Sequence, residues 1–137
     1  MDRKLELLRG VPLFADLDAQ SLDAVGVLAR EVELPAGHIV MLQGDPADGF
    51  YVIVDGTIRV ERAGGTVRSL SSGGFFGEIA LLEGGPRTAT ATCVTDSRVL
   101  TIQRHEFERL MTAMPHLERR IRLAAARRPH GHGGDPA

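Results

Sequence analysis

Five glycines and a proline in the segment Gly73–Thr90 surround Glu78 and Arg87, which lie nine positions apart. The stretch Glu78–Glu83 between the glycines has the length of one or two helical turns. A helix starting after Gly77 turns unpaired backbone N–H groups toward its N-terminus, which favours an anion there. Gly77 removes the side chain that would hold a ligand away from that backbone. Arg87, fixed just after Pro86, offers a planar fork suited to two phosphate oxygens. Glu78, when ionised, only accepts hydrogen bonds, so it suits a sugar hydroxyl and repels a phosphate at the same spot. Together these groups describe a cradle for a phosphorylated ribose. The plainer alternative is that Glu78 and Arg87 pair with each other and the glycines only make turns. The spacing, the flanking apolar residues and the glycines favour the cradle.

The elements that must position this segment show in the changes of period. The first thirty residues read as helical. Asp18 is an N-cap candidate, and Leu22, Val25, Leu28 and Ala29 recur on one side of a helix. From Glu31 the period becomes two. Val32–Leu34 and His38–Gln43 flank the turn Pro35-Ala-Gly37, and Gly44–Gly49 is a loop dense in turn formers. Phe50–Val54, Thr57–Arg62 and Thr66–Leu70 follow, with hairpin signals at Asp55-Gly56 and Gly64-Gly65. Ala89–Thr95 and Arg98–Gln103 make another pair about Asp96-Ser97. Short strands at this spacing indicate a sandwich, jelly roll or barrel. Helix then returns over His105–Met114, stopped by Pro115, and over His116–Arg128, where Leu117, Ile121 and Ala124 share a side. Residues 129–137 read as a disordered tail with nothing to pack. The fold class is α+β, with helices at both ends of a small roll.

Composition narrows the functions open to such a domain. At 137 residues, 43% hydrophobic and 25% charged, the chain has the proportions of one globular domain. A single cysteine, Cys93, excludes an internal disulfide framework and a multi-cysteine zinc site, and within a strand it reads as a small buried apolar residue. A net charge of −2 argues against a surface that grips nucleic acid throughout. Fifteen of the sixteen basic residues are Arg, which we read as genome composition. No export signal and no run long enough to span a bilayer occur, so the protein reads as cytoplasmic. A metal-binding cupin has a similar roll, but His38, His105 and His116 stand singly, with no His-x-His pair on a strand. His130-Gly-His132 has chelating spacing but falls in the tail. Nothing resembles a nucleophile–base pair, so the chain does not read as an enzyme.

Phe76-Gly-Glu-Ile-Ala-Leu81 followed after four residues by Pro86-Arg-Thr-Ala-Thr90 resembles the phosphate-binding cassette of cyclic nucleotide-binding domains. That family includes the catabolite activator protein, the regulatory subunits of cyclic-AMP-dependent kinase and the nucleotide-gated channels. The likeness covers roughly residues 10–125, including Pro12-Leu13-Phe14, and sets the domain at residues 1–128. It implies an eight-stranded antiparallel β-roll (jelly roll) with N-terminal and C-terminal helices. It also implies that Glu78 accepts from the ribose 2′-hydroxyl and that Arg87 holds the cyclic phosphate. Phe76, Gly77, Ile79 and Ala80, with Thr88 and Ala89, complete the pocket. The ligand it favours is cyclic AMP (cAMP), with cyclic GMP the alternative. Val60 and Val67, set opposite each other across the Gly64-Gly65 turn, are the expected base contacts, although core packing accounts for them equally well.

The last helix adds a second theme. Leu117–Arg128 carries net +4, leaving the rest of the chain at −6. A basic helix can bind nucleic acid or a membrane surface, but it is more often a solvated face. With nine residues after Arg128, no helix-turn-helix is expected to follow and DNA binding by that route is not expected. The apolar stripe fits a lid over the base or a homodimer contact. The expected function is a cyclic nucleotide sensor whose terminal helices signal to a protein effector. The alternatives are an interaction module that does not respond to nucleotide and, third, a nucleic-acid binder working through the basic helix.

Overall fold

The chain runs from helices into a roll and back to helices. The computed structural model describes residues 3–126. It has helix α1 (Arg3–Arg9), a 3-10 turn (Pro12–Phe14), α2 (Ala19–Leu28), β1 (Arg30–Leu34), β2 (Ile39–Met41), β3 (Gly49–Asp55), β4 (Ile58–Glu61), β5 (Val67–Leu70), β6 (Phe75–Phe76), α3 (Glu78–Glu83), β7 (Thr90–Cys93), β8 (Ser97–Gln103), α4 (Arg104–Ala113) and α5 (Pro115–Ala126). The expected tail over 129–137, with His130-Gly-His132, lies outside the described residues. The strands form two antiparallel sheets, ordered β1-β8-β3-β6 and β2-β7-β4-β5.

Two cores result, one on each side of the first sheet. Ile53 of β3 and Val99 of β8 face the second sheet and pack with Met41, Ile58, Val60, Phe76, Ala91 and Cys93 inside the roll. Phe50 and Val52 of β3, and Leu100 and Ile102 of β8, face the other way and receive the helices. A strand covered on both faces is apolar on both, which is why β3 reads as an almost continuous apolar run. Phe107 of α4 lies with its ring centroid 5.0 Å from that of Phe50. Leu117 and Ile121 of α5 and Leu22 and Val25 of α2 join the same core. Asp18 caps α2 by accepting from Ser21 N–H at 2.7 Å. Cys93 is buried, and burial pushes its thiol pKa up.

Three local expectations are corrected. Asp55-Gly56 is no hairpin, because β3 and β4 lie in different sheets. Gly56, at φ 108°, turns the chain around a corner of the roll so closely that an added Cβ would collide with Ser97. The strands flanking Asp96-Ser97 likewise belong to different sheets and do not pair. The third correction concerns Val67. The β4–β5 loop spans residues 63–65, closed by Arg62 N–H donating to Thr66 O, so the register pairs Glu61 with Val67 and Val60 with Arg68. A one-residue offset reverses the face. Val67 is therefore on the outer face, 54% exposed, and half-buried Arg68 stands beside Val60 on the inner one.

Removing the Phe107 ring should leave a cavity between α4 and β3, so Phe107→Ala is expected to lower the unfolding free energy by about 3–5 kcal/mol. Urea denaturation checks this, and a loss below about 1 kcal/mol would show that α4 is not docked as described. Gly77 and Gly64 both have positive φ, at 91° and 69°. Gly64→Ala should cost about 1–2 kcal/mol from left-handed strain alone. Gly77→Ala should cost more, because its Cβ would meet Arg87 Nη1 at 3.0 Å and Gly49 O at 3.1 Å while nothing lies within 4 Å at Gly64. Equal losses in the same assay would contradict the packing at Gly77.

Candidate functional site

The site forms where three pieces of chain meet: the loop 44–49 with the start of β3, the β6–α3 joint, and the residues leading into β7. β6 pairs with Tyr51 and Val52, which brings Gly77 alongside β3. Gly77 then turns left-handed, at φ 91° and ψ 0°, and α3 begins at Glu78. The Arg87 backbone is held from the other side: its N–H donates to Asp45 O at 2.8 Å, and its carbonyl accepts from Gly44 N–H at 2.9 Å. Pro46 and Pro86 form a bridge next to these bonds.

The side chain of Arg87 is 2% exposed. Nη1 donates to Gly77 O at 2.8 Å, and Nη2 donates to Gly49 O at 2.6 Å and to Asp48 Oδ1 at 2.9 Å. A buried charge needs this degree of satisfaction, since desolvation is otherwise repaid poorly. Nε has no hydrogen-bond partner among the described residues, and neither has the buried Oγ1 of the adjacent Thr88. The guanidinium carbon lies 5.9 Å from the Tyr51 ring centroid. Tyr51 stacks on Phe76 at 5.1 Å and 13°, and its hydroxyl donates to Asp48 Oδ1 at 3.3 Å. Burial pushes the Tyr51 phenol pKa up and the Asp48 charge adds to this, with Arg87 opposing, so the hydroxyl keeps its proton.

The sequence-derived residues are placed as follows. Glu78 is fully buried at the first position of α3, one residue from the carbonyl that Arg87 Nη1 grips. Ala80 is buried behind it and Ile79 is half-buried. Phe76, Ala89 and Val60 belong to the core inside the roll. Val67, on the outer face of β5, is not brought to them. Arg87 borders a cavity of about 320 Å³ together with Met41, Leu42, Asp45 and Asp48. Glu78 does not line that cavity.

Asp48, Gly49 and Tyr51 were not legible as site residues. The signal that could have found them is Arg87 itself, since a buried guanidinium needs a carboxylate, and the turn-rich loop before β3 holds two. At the C-terminal end, Arg120 of α5 donates to Leu13 O at 3.3 Å and to Asp16 Oδ2 at 2.6 Å, while Arg122 pairs with Glu118. Among the described residues no group of three or more His, Cys, Asp or Glu could hold a metal ion. No helix among them is long and apolar enough to cross a membrane.

Comparison with known proteins bears on the family and the fold. The family profile described as the cyclic nucleotide-binding domain matches residues 31–113. A cyclic nucleotide-gated potassium channel of Rhizobium etli is 33% identical over 134 residues, covering 98% of this chain and 37% of the channel. A cAMP-dependent protein kinase regulatory subunit of Aspergillus niger is 33% identical over 115 residues, covering 82% of this chain and 28% of the subunit. The chain thus spans about a third of the length of these curated relatives. Among solved structures, the catabolite activator protein of Thermus thermophilus superposes with a TM-score of 0.73 at 30% identity, covering 85% of this chain and 57% of that one. The structure described as Sp-2Cl-cAMPS bound to PKAR CBD2 gives a TM-score of 0.75 at 25% identity, covering 84% and 79%. With eight antiparallel strands in two sheets, helices at both ends and a family profile matching more than half its length, this chain belongs to the cyclic nucleotide-binding domain family.

Proposed function

We propose that residues 1–128 bind a cyclic nucleotide, cAMP in preference to cyclic GMP, and that occupancy is passed to a protein effector through α4 and α5. One observation carries this reading: Arg87 is buried and fixed by its Nη atoms, while Nε and the neighbouring Thr88 hydroxyl have no acceptor among the described residues. The two exocyclic phosphate oxygens supply one acceptor to each donor. Glu78 takes the ribose 2′-hydroxyl, and the amides of Gly77, Ile79 and Ala80, with Ala89, line the sugar phosphate. Phe76 backs the pocket, and Val60 with its neighbours inside the roll meets the base. Val67, facing outward, is no part of it. The preference for cAMP rests on the relatives, since the kinase subunit of Aspergillus niger is named for cAMP.

The signal is a population shift: nucleotide binds one arrangement of the cassette and terminal helices better than the other, and only that difference can drive a change. The role is regulatory, in the cytoplasm and without catalysis. The expected stripe of α5 is taken up by the protein's own core, where Leu117 and Ile121 are buried, so a homodimer contact falls to the outer face of α5, where Leu123 is 50% exposed. Binding of nucleic acid through the basic helix is disfavoured, because Arg120 and Arg122 are engaged in ion pairs. The runner-up, an interaction module that does not respond to nucleotide, is favoured by one fact: both Nη atoms of Arg87 already have protein acceptors.

Calorimetry with cAMP and cyclic GMP separates the two. The sensor binds, with cAMP the tighter ligand. Glu78→Ala weakens it by about ten- to a hundredfold, the worth of a hydrogen bond to a charged group. Arg87→Ala abolishes binding while circular dichroism still reports a folded domain. No heat with either nucleotide decides for the interaction module, and binding that survives Arg87→Ala overturns the role given to Arg87.

A further inference from the structure

Tyr51 stands beside Arg87 yet has no part in the binding reading. Tyr51 sits on β3 with its ring toward the roll interior, half-buried, beside Ile53. Three contacts converge on it. Its ring stacks on Phe76 at 5.1 Å, the residue that leads into Gly77. Its face lies under the Arg87 guanidinium at 5.9 Å. Its hydroxyl reaches Asp48 Oδ1, the same oxygen that accepts from Arg87 Nη2. Arg87, Asp48 and Tyr51 therefore close a triangle.

The triangle matters because the Asp48 side chain is 75% exposed. A carboxylate at the surface explores several rotamers, and holding it in one costs entropy unless a second contact fixes it. The Tyr51 hydroxyl supplies that contact. The ring adds an attraction to the guanidinium that is stronger away from water. Ring and hydroxyl constrain the same cation from different directions, one through its face and one through its counter-ion. A guanidinium held this way keeps its Nε edge in one orientation.

We infer that Tyr51 is a positioning residue, which holds Arg87 and its partner Asp48 so that the Nε edge is preset for an anionic ligand. This rests on the proposal that Arg87 receives the phosphate, but its test is readable without ligand. Tyr51→Phe keeps the ring and its stack on Phe76 and removes only the hydroxyl, so it leaves the fold intact. Tyr51→Leu also removes the ring face.

The experiment combines side-chain NMR of the Arg87 guanidinium in the full, ligand-free chain with cAMP titration of the wild type, both Tyr51 variants, Asp48→Ala and the Tyr51→Phe/Asp48→Ala double variant. In the wild type, hindered rotation keeps separate signals for the Arg87 Nη protons. In Tyr51→Phe these are expected to broaden and merge. The affinity for cAMP should fall by about three- to tenfold, the worth of one hydrogen bond, and further in Tyr51→Leu. In the Asp48→Ala background, which removes the shared acceptor, Tyr51→Phe should add little, because the two act through one contact. Rescue of the separate signals by Phe, or losses that simply add, overturns the positioning role, as does an affinity change with no change in the Arg87 signals. If the wild type binds no cAMP, the binding proposal fails, while the Arg87 signals of Tyr51→Phe still decide for or against Tyr51.

Discussion

Burial of one guanidinium organises this domain. A cation taken out of water is tolerated only where acceptors are already in place. The Arg87 side chain finds them on two separate pieces of chain, Gly77 O at the β6–α3 joint and Gly49 O with Asp48 at the start of β3. Those acceptors explain features that would otherwise look unrelated. Gly77 must lack a side chain because its Cβ would press on Nη1. The loop 44–49 must close on residues 86 and 87 through backbone bonds, because only then does Asp48 arrive beside the guanidinium. Tyr51 must stack where it does because it lies between the two sides.

The same residues connect the site to the terminal helices. The backbone carbonyl of Asp48 accepts from Arg104 N–H at 3.0 Å, the first residue of α4. The short helix α3, which begins at Glu78, packs on both β3 and α4. Farther along, Arg120 ties α5 to the 3-10 turn and to Asp16. An anion that reorients Arg87 or Asp48 therefore acts on a residue that also holds the start of α4. Coupling of this kind needs two arrangements with different ligand affinities, and the contacts at Asp48 are where they would differ.

Much of the architecture was legible in the residues. Period changes placed the helices and most strands, and Asp18 marked the start of α2. The candidate cassette was legible in Gly77, Glu78 and Arg87 as a combination of residue types, and the structure places Gly77 and Arg87 in direct contact. Topology was harder. Asp55-Gly56 has the chemistry of a hairpin, yet the roll uses it as a corner, since a local turn signal says nothing about which sheet the next strand joins. Strand β6 has two residues, too few to show alternation. Val67 faces outward because the β4–β5 loop holds three residues, where Gly64-Gly65 alone suggests two, and one residue of offset reverses a strand. Asp48 and Tyr51 stayed hidden for a different reason: they act on Arg87 across the fold, and no spacing in the chain encodes a contact between residues 39 positions apart.

A crystal structure of the domain grown with cAMP examines the Arg87 assignment without intermediaries. The cyclic phosphate should sit with one oxygen within hydrogen-bond reach of Arg87 Nε and another near Thr88 Oγ1, with the ribose 2′-hydroxyl on Glu78. Nucleotide density elsewhere on the roll, with Arg87 still closed on Gly77, Gly49 and Asp48 and no phosphate beside Nε, would refute it.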